Sequence, residues 1–267
     1  MVKTPDLEKS QDVMLAMSDS SSGASITTAQ SKPNLLRKEL TVALGEFVGT
    51  FMFLFFAFAP TQIALEAATI NPETPPDVNK PPEVAKLLFI AFAFGAALAV
   101  NVAIFADVSG GMFNPAVTTA LWIVGLIRWN RALFSVVAQL FASVCASLVV
   151  SAIIPGPLPV ATVLDPSASV ARGLFLEVFL TAQLVLTILM LPSGGAKPLY
   201  IGMALFVAEL AGVFFTGGSL NPARSFGPAV VVGFQSYDWI YWLGPLMGAG
   251  LGAGTFTLIH FLQGEEL

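Results

Sequence analysis

The sequence predicts an all-α membrane protein with six transmembrane helices and two re-entrant half-helices, arranged as two inverted three-span repeats. Composition supports the class, because 55% of the 267 residues are hydrophobic and only 11% are charged. The mean hydropathy is +0.79, which is typical of a chain that crosses a membrane many times. The architecture follows from six long apolar stretches and from an Asn-Pro-Ala sequence that occurs twice.

The two ends of the chain are polar. Residues 1–37 contain SDSSSGASITTAQS, which lacks the apolar positions that a packed core requires, so we expect a disordered tail. This tail holds no apolar core of signal-peptide length, and the first membrane helix is therefore expected to act as the insertion signal. The membrane domain is expected over residues 38–262, with a short C-terminal tail at 263–267.

About 20 apolar residues suffice to cross a hydrocarbon core of about 30 Å. Six stretches meet this requirement: 39–64, 86–106, 132–154, 169–191, 199–216 and 239–262. Loops rich in proline or glycine separate several of them, including NPETPPDVNKPPE and PSGGAKP. Two further apolar pieces, about 112–127 and 219–234, are too short and too broken to span the bilayer. They begin at Asn114 and Asn221.

Basic residues indicate the orientation of the spans. They lie in alternate loops on one side, at Lys32, Arg37, Lys38, Arg128, Arg131 and Lys197. Lys80 and Lys86, near the other side, weaken this bias. The positive-inside rule predicts that both termini are cytoplasmic.

The chain also repeats itself at a fixed spacing. GAALAV at Gly95 and GMALFV at Gly202 are 107 residues apart, and so are Asn114 and Asn221 in SGGMFNPA and TGGSLNPA. Each half, about 38–154 and 169–262, therefore contains three spans and one short helix. Because three is odd, the second half enters the membrane from the opposite face. Broken helices at matching positions of two inverted halves are typical of a transport site.

The Asn-Pro-Ala sequences explain how a helix can begin in the middle of a membrane. Asn114 and Asn221 are suited to cap a helix, and the proline after each needs no backbone N–H in the first turn. Irregular backbone at this depth is tolerated only where it is buried in protein or lines a wet cavity. Two such helices would direct their positive ends and both amides to one place, which favours a lone pair and repels a cation.

Three of the ionisable residues inside the predicted membrane segments are Arg224, Glu46 and Glu177. Arg224 is costly there unless it faces water and bonds backbone carbonyls, so it is predicted to line a pore; a structural ion pair is the alternative. Glu46 and Glu177 recur in both halves, each four residues before a threonine. We expect them to accept hydrogen bonds from backbone N–H groups of the re-entrant loops rather than to carry transport chemistry.

These features together carry a family resemblance. FNPAVT, LNPARSFGP, the two Glu-x-x-x-Thr pairs and WIYWLGP resemble the aquaporin (major intrinsic protein) family over about residues 38–262. The resemblance implies a homotetramer in the lipid bilayer, with one pore per subunit, no cofactor and no catalysis. The plasma membrane is the expected location. The residues expected at the pore midplane are Asn114, Pro115, Ala116, Asn221, Pro222 and Ala223.

The resemblance further implies a selectivity filter of four residues, which spacing assigns to Phe94, Glu209, Gly218 and Arg224. Glu209 departs from the family, whose water-selective members usually carry His there and whose glycerol-conducting members usually carry Gly. The assigned spacing places Glu209 at the level of Arg224, where the two side chains are expected to pair. The alternative is that Glu209 turns away toward loop backbone or vestibule water.

The expected function is a channel that conducts water and excludes protons and ions. The alternatives are conduction of hydrogen peroxide, glycerol or another small neutral solute, and a non-conducting structural membrane protein of the same fold. One histidine and one cysteine cannot supply a zinc cluster, an internal disulfide or a nucleophile–base set, so neither a metal nor an enzyme activity is expected. The net charge of −5 resides mostly in tails and loops and indicates no nucleic-acid partner.

Overall fold

The computed structural model describes residues 35–67 and 83–264. They lie within one compact unit, Leu35–Leu267. Most of the expected disordered tail, 1–37, lies outside the described residues, but residues 35–37 already belong to the first helix. Residues 265–267 of the expected C-terminal tail also lie outside them.

Within the described residues, six long helices and two short ones follow one another along the chain. The long helices are α1 (Leu35–Ala67), α2 (Val84–Ser109), α4 (Trp129–Ile153), α5 (Val170–Met190), α6 (Lys197–Thr216) and α8 (Ile240–Gln263); the short ones are α3 (Pro115–Ile123) and α7 (Pro222–Val232). Each long helix is long and apolar enough to cross a membrane. The predicted fold of six spans and two half-helices is therefore confirmed.

The packing of the helices follows the sequence repeat. In the first half, α1 packs against α2 and α4, and in the second half α5 packs in the same way against α6 and α8. Each half-helix also reaches into the other half, α3 against α8 and α7 against α4. The two halves are thus interlocked around the contact between α2 and α6, as expected for inverted repeats.

Two glycines from the repeated segments allow α2 and α6 to cross closely. A Cβ atom on Gly95 would lie 2.7 Å from the carbonyl oxygen of Gly202 and 2.6 Å from the Cβ atom of Phe206. A larger side chain at this crossing would push the two helices apart, and small residues are the usual solution where membrane helices approach this closely. The repeated glycines therefore mark a close approach of the two halves.

The distribution of polar residues is the reverse of that in a water-soluble protein. Large apolar side chains such as Phe56, Phe92, Phe141, Phe179 and Leu251 are exposed on the outer faces of the helices. The fully or almost fully buried residues include Glu46, Gln139, Glu177, Glu209 and Arg224. In a bilayer, charged groups are tolerated where they face the bundle interior and find partners or water, so the functional site is expected inside the bundle.

Candidate functional site

Each half-helix follows a short loop in an unusual backbone conformation. Phe113 and Leu220 both have positive φ angles, 50° and 51°, in a region that non-glycine residues rarely adopt. Such strain costs about 1–3 kcal/mol for each residue, so contacts elsewhere must hold the loops in place. The glycines that also have positive φ are Gly110 and Gly111 in the first loop and Gly217 and Gly218 in the second.

The buried carboxylate of Glu46, on α1, holds the first loop. The backbone N–H of Phe113 donates to Oε2 at 2.8 Å, and that of Met112 donates to Oε1 at 3.1 Å. The hydroxyl of Ser109 donates to Oε1 at 2.7 Å, and the amide of Gln139 on α4 donates to Oε2 at 2.8 Å. These bonds satisfy backbone donors that would otherwise be orphaned inside the bundle.

Glu177, on α5, does the same for the second loop. The backbone N–H groups of Leu220 and Ser219 donate to its two carboxylate oxygens at 2.8 Å and 2.9 Å. The hydroxyl of Thr216 donates to Oε1 at 2.6 Å. The geometry of the two carboxylates is thus repeated in the two halves, and it is the geometry expected of residues that support the loops.

The two asparagines connect the half-helices to each other. Oδ1 of Asn114 accepts from the N–H of Ala116 at 2.8 Å and so caps α3, while its amide nitrogen donates to the carbonyl of Leu220 at 2.8 Å. Asn221 mirrors this arrangement: Oδ1 accepts from Ala223 at 2.9 Å, and the amide nitrogen donates to the carbonyl of Phe113 at 2.8 Å. A side-chain amide has two N–H donors. Each asparagine therefore has a second amide N–H that is not used in the bond to the opposite loop.

Arg224 lies in the first turn of α7, and backbone carbonyls hold its guanidinium group. Nε donates to the carbonyl of Gly218 at 3.1 Å, Nη1 to that of Val160 at 2.6 Å, and Nη2 to that of Gly217 at 3.2 Å. The guanidinium carbon also lies 4.8 Å from the ring centre of Phe94, within cation–π range. The side chain is 3% exposed, so its orientation is determined by these contacts.

Glu209 is fully buried on α6, and neither of its carboxylate oxygens has a hydrogen-bond partner. The direct ion pair with Arg224 expected from spacing is not formed, because the guanidinium group is held by backbone carbonyls instead. The alternative, a hydrogen bond from loop backbone to the carboxylate, is not formed either. The carboxylate lies beside Gly218, where an added Cβ atom would be 2.6 Å from the Cδ atom of Glu209.

These side chains meet around one narrow cavity between the halves. Its lining includes Phe94, Asn114, Glu209, Asn221 and Arg224, and its volume is about 20 Å³, enough for one ordered water. Gly218 adjoins it through the Glu209 carboxylate. The other residues expected at the midplane, Pro115, Ala116, Pro222 and Ala223, form the buried first turns of the half-helices.

Wider cavities adjoin the narrow one at both ends. The cavity of about 610 Å³ shares Met112 and Ile201 with it and is also lined by Asp107 and Lys197. The cavity of about 340 Å³ shares Arg224 with it. The narrow cavity thus shares lining residues with both wider cavities. Among the described residues, no cluster of His, Cys, Asp and Glu could hold a metal ion.

Sequence reasoning missed two residues of this site. Val160, whose carbonyl holds Arg224, lies in the loop between α4 and α5, where no pattern marks it. Phe58, on α1, places its ring 5.4 Å from the guanidinium carbon of Arg224. For Phe58, the only indication in the sequence was that the first span is rich in phenylalanine.

The loop that supplies Val160 is itself anchored on both sides. The N–H of Asp165 donates to the carbonyl of Phe215 at 2.9 Å, and the N–H of Leu164 donates to the hydroxyl of Tyr237 at 3.4 Å. The hydroxyl and N–H of Ser167 donate to the Asp165 carboxylate and lower its pKa below the usual value. The carboxylate is therefore ionised at neutral pH and maintains the turn that follows Val160.

Known proteins share sequence similarity with most of this chain. The sequence pattern of the family described as Major intrinsic protein matches residues 34–256. The chain is 49% identical over 238 residues to "Aquaporin-2" of Botryotinia fuckeliana (strain B05.10), covering 87% of this chain and 62% of that one. It is 46% identical over 236 residues to "Probable aquaporin-3" of Gibberella zeae, covering 86% of this chain and 81% of that one.

A solved structure supports the fold. The X-ray structure of the aquaglyceroporin from Plasmodium falciparum superimposes with a TM-score of 0.68 over 83% of this chain and 95% of that one, at 20% identity. The chain thus spans almost the whole of that structure but about three fifths of the Botryotinia protein's length.

Proposed function

The chain belongs to the major intrinsic protein family, and on that premise we propose that it is a passive water channel with one pore through each subunit. Proteins of this family are membrane transporters rather than enzymes, and they conduct water and small solutes across lipid bilayers. The observation that carries the proposal is the cavity of about 20 Å³ between the half-helices, lined by Asn114 and Asn221. It accommodates about one water molecule at a time.

The two asparagines explain how water passes and protons do not. A water molecule at the midplane accepts hydrogen bonds from the remaining N–H of each amide, so both lone pairs of its oxygen are engaged. It then cannot accept from a neighbouring water, and the chain of hydrogen bonds along which a proton would move is interrupted. The positive N-terminal ends of α3 and α7 raise the barrier to any cation further.

The small volume of the cavity, about 20 Å³, favours water over glycerol. Phe94 forms one wall, and the guanidinium group of Arg224 is held rigidly by three carbonyls at another. A site that fits about one water cannot admit a three-carbon solute without displacing these groups. A purely structural membrane protein is disfavoured as well, because the unpartnered carboxylate of Glu209 would then carry a desolvation penalty with no compensating role.

A homotetramer in the plasma membrane, with both termini cytoplasmic, is part of the proposal. The basic residues in alternate loops support the orientation. The outward side chain of Gln183, in the middle of α5, supports the assembly, because an amide that faces lipid lacks partners which a neighbouring subunit could provide. The groove beside it, about 540 Å³ in volume, is lined by α5, α6 and α8.

The proposal is tested by reconstituting the purified chain in proteoliposomes and measuring osmotic shrinkage by stopped flow. We expect water permeability several-fold above that of protein-free vesicles, little glycerol permeability, and no added proton leak by a trapped pH-sensitive dye. Val230→Ala, at an exposed position on α7, serves as the matched control variant. Water permeability equal to that of empty vesicles, with folded protein present, would refute the proposal.

A further inference from the structure

The proposed channel leaves one buried amide of the first helix without a role. The side chain of Gln62, near the C-terminal end of α1, is 0% exposed. A polar side chain inside a membrane helix is costly, and such residues usually serve a purpose in the interior of the bundle. Gln62 does not line any of the three cavities described above. A role in conduction must therefore act through another residue.

Gln62 caps the end of a neighbouring helix. Its amide nitrogen donates to the carbonyl oxygens of Ile154 at 3.3 Å and of Pro155 at 3.2 Å. Ile154 directly follows the last residue of α4, and the last carbonyls of a helix have no partner within it. A side-chain amide has two N–H donors, so Gln62 can satisfy both carbonyls. It thereby ties the end of α4 to α1 and determines where the α4–α5 loop begins.

The loop reaches Arg224 shortly after this point. Only residues 156–159 separate Pro155 from Val160, whose carbonyl accepts from Nη1 of Arg224 at 2.6 Å. Leu158 and Val160 are buried, with exposures of 6% and 1%, so this short segment packs into the bundle. Because the segment is short, a displacement at its beginning is passed on to Val160.

The same loop is fixed to α6 beyond Val160. A Cβ atom on Gly217 would lie 2.9 Å from the Cα atom of Thr162, so the backbone of the loop lies directly against this glycine. The N–H of Asp165 donates to the carbonyl of Phe215 at 2.9 Å. Val160 thus lies between an anchor on α1 and an anchor on α6, and both position its carbonyl.

We propose that Gln62 is a positioning residue for Arg224, which acts through the α4–α5 loop. By capping α4, it keeps the loop at the depth where the carbonyl of Val160 accepts a hydrogen bond from the guanidinium group. The inference rests on the proposed channel function. It adds to that function a residue outside the pore on which conduction depends.

Loss of the amide is expected to give the guanidinium group more freedom. A shift of about 1 Å at Val160 takes its 2.6 Å bond with Arg224 beyond hydrogen-bond range. The bonds to the carbonyls of Gly217 and Gly218 are longer, at 3.2 Å and 3.1 Å, and they remain. Arg224 then lacks its shortest restraint and can turn into the cavity of about 20 Å³ that it lines, where it obstructs water.

The first test is Gln62→Met, which keeps the length of the side chain but removes the donors. In proteoliposomes, stopped-flow light scattering should show water permeability per folded channel about three- to ten-fold lower, the size of about one lost hydrogen bond. Ile63→Met, at the next position on α1 where the side chain is exposed, is the matched control and should equal the unmodified chain.

The second test repeats Gln62→Met in the Arg224→Val background. A residue that acts only through Arg224 has nothing left to position there, so no further fall in water permeability is expected. A double-mutant cycle of this kind separates coupled residues from independent ones. Equal falls in the two backgrounds would show a general structural role and overturn the inference.

Gln62→Asn is the second variant, for use where Gln62→Met yields little folded protein. It keeps an amide but withdraws it by about 1.5 Å, the length of one C–C bond, and should lower water permeability in the same direction. In both variants, amide hydrogen exchange at residues 160–164 should become faster. Parental permeability or parental exchange in a folded variant overturns the inference. If the unmodified chain conducts no water above empty vesicles, the proposed function fails, while hydrogen exchange still tests the anchor.

Discussion

The two re-entrant loops have nearly the same backbone but different side chains at the cavity. In both, glycines with positive φ precede a strained residue and a capping asparagine, and a buried carboxylate accepts two backbone N–H groups. Yet Val117 in the first half corresponds to Arg224 in the second, and Met112 corresponds to Ser219. The duplication preserves the scaffold that brings a helix end to the midplane, while the chemistry at each end of the pore differs.

This difference separates two kinds of residue. Residues that satisfy backbone groups are the same in both halves because each half has the same orphaned donors to satisfy. Residues on either side of the midplane differ, because in the proposed channel only one end of the pore carries a fixed charge. Substitutions of the first kind should therefore destabilise the fold in either half, and those of the second kind should alter conduction in one half only.

The largest effect is expected from the carboxylates that support the loops. Glu46→Gln and Glu177→Gln each place an amide N–H₂ against backbone donors, at a cost of about 1–3 kcal/mol for each donor left unsatisfied. Oε1 of Gln139 has no partner, so this neighbour of Glu46 can turn its amide and offer an acceptor. We expect Glu177→Gln to lose most folded protein in size-exclusion chromatography and Glu46→Gln to lose less; the reverse order would contradict this account of Gln139.

A large functional effect is expected when the second half is made like the first. Arg224→Val removes the fixed charge and leaves three carbonyls unbonded, so we expect proton and cation leak to rise about ten-fold or more, in keeping with the electrostatic barrier of a buried cation. Water permeability should remain above that of empty vesicles. A pH-sensitive dye inside the vesicles measures the leak, with Val230→Ala as the control. If the leak does not rise, the exclusion of protons and cations is due to the midplane alone.

The asparagines are expected to behave alike, because each caps its own half-helix and donates to the opposite loop. Asn114→Asp and Asn221→Asp each remove the N–H donors from the midplane and add a negative charge that attracts cations. We expect water permeability to fall about three- to ten-fold in each variant, the cost of about one lost hydrogen bond, together with a measurable sodium flux. Unequal losses in the two halves would show that the amides are not equivalent.

The smallest effect is expected at a glycine. Gly111 has a φ angle of 62°, and an added Cβ atom would be no closer than 3.5 Å to its nearest neighbours, so Gly111→Ala should cost only the strain of that conformation, about 1–2 kcal/mol. Gly218→Ala meets the Glu209 carboxylate as well and should lower the melting temperature further. When combined with Gly218→Ala, Glu209→Ala should restore part of this further loss of melting temperature. Equal losses for the two alanine variants would contradict the position of Glu209.

The spans and half-helices were predictable because hydrocarbon imposes simple requirements. A spanning segment must be apolar and helical, and Asn114 followed by Pro115 is a recognisable start for a helix. The residues at which the helices begin and end were less predictable. The first helix begins at Leu35 rather than residue 39, because a helix continues to satisfy its own backbone past the edge of the apolar stretch, through the polar residues Arg37, Lys38 and Glu39.

The candidate site was predictable in its members but not in their contacts. Spacing along helices places Phe94, Glu209 and Arg224 at one depth, and the structure brings them to one cavity. Depth alone does not determine which way a side chain turns or which partner it meets. Arg224 bonds Val160, which lies in a loop with no periodic pattern, and this contact leaves Glu209 without the partner that spacing suggested.

The sequence by itself determined the class, the inverted halves and the positions where the backbone breaks, because these follow from hydropathy, parity of crossings and local capping chemistry. Only the tertiary structure decided which groups remain unsatisfied in the pore. That outcome depends on competition for Arg224 between a carboxylate and carbonyls that are distant in sequence, and such competition is settled by three-dimensional packing. The carboxylate of Glu209 occupies the space left by the missing side chain at Gly218, and the carbonyl of Val160 accepts a hydrogen bond from Arg224. The two oxygens of Glu209 therefore remain without hydrogen bonds.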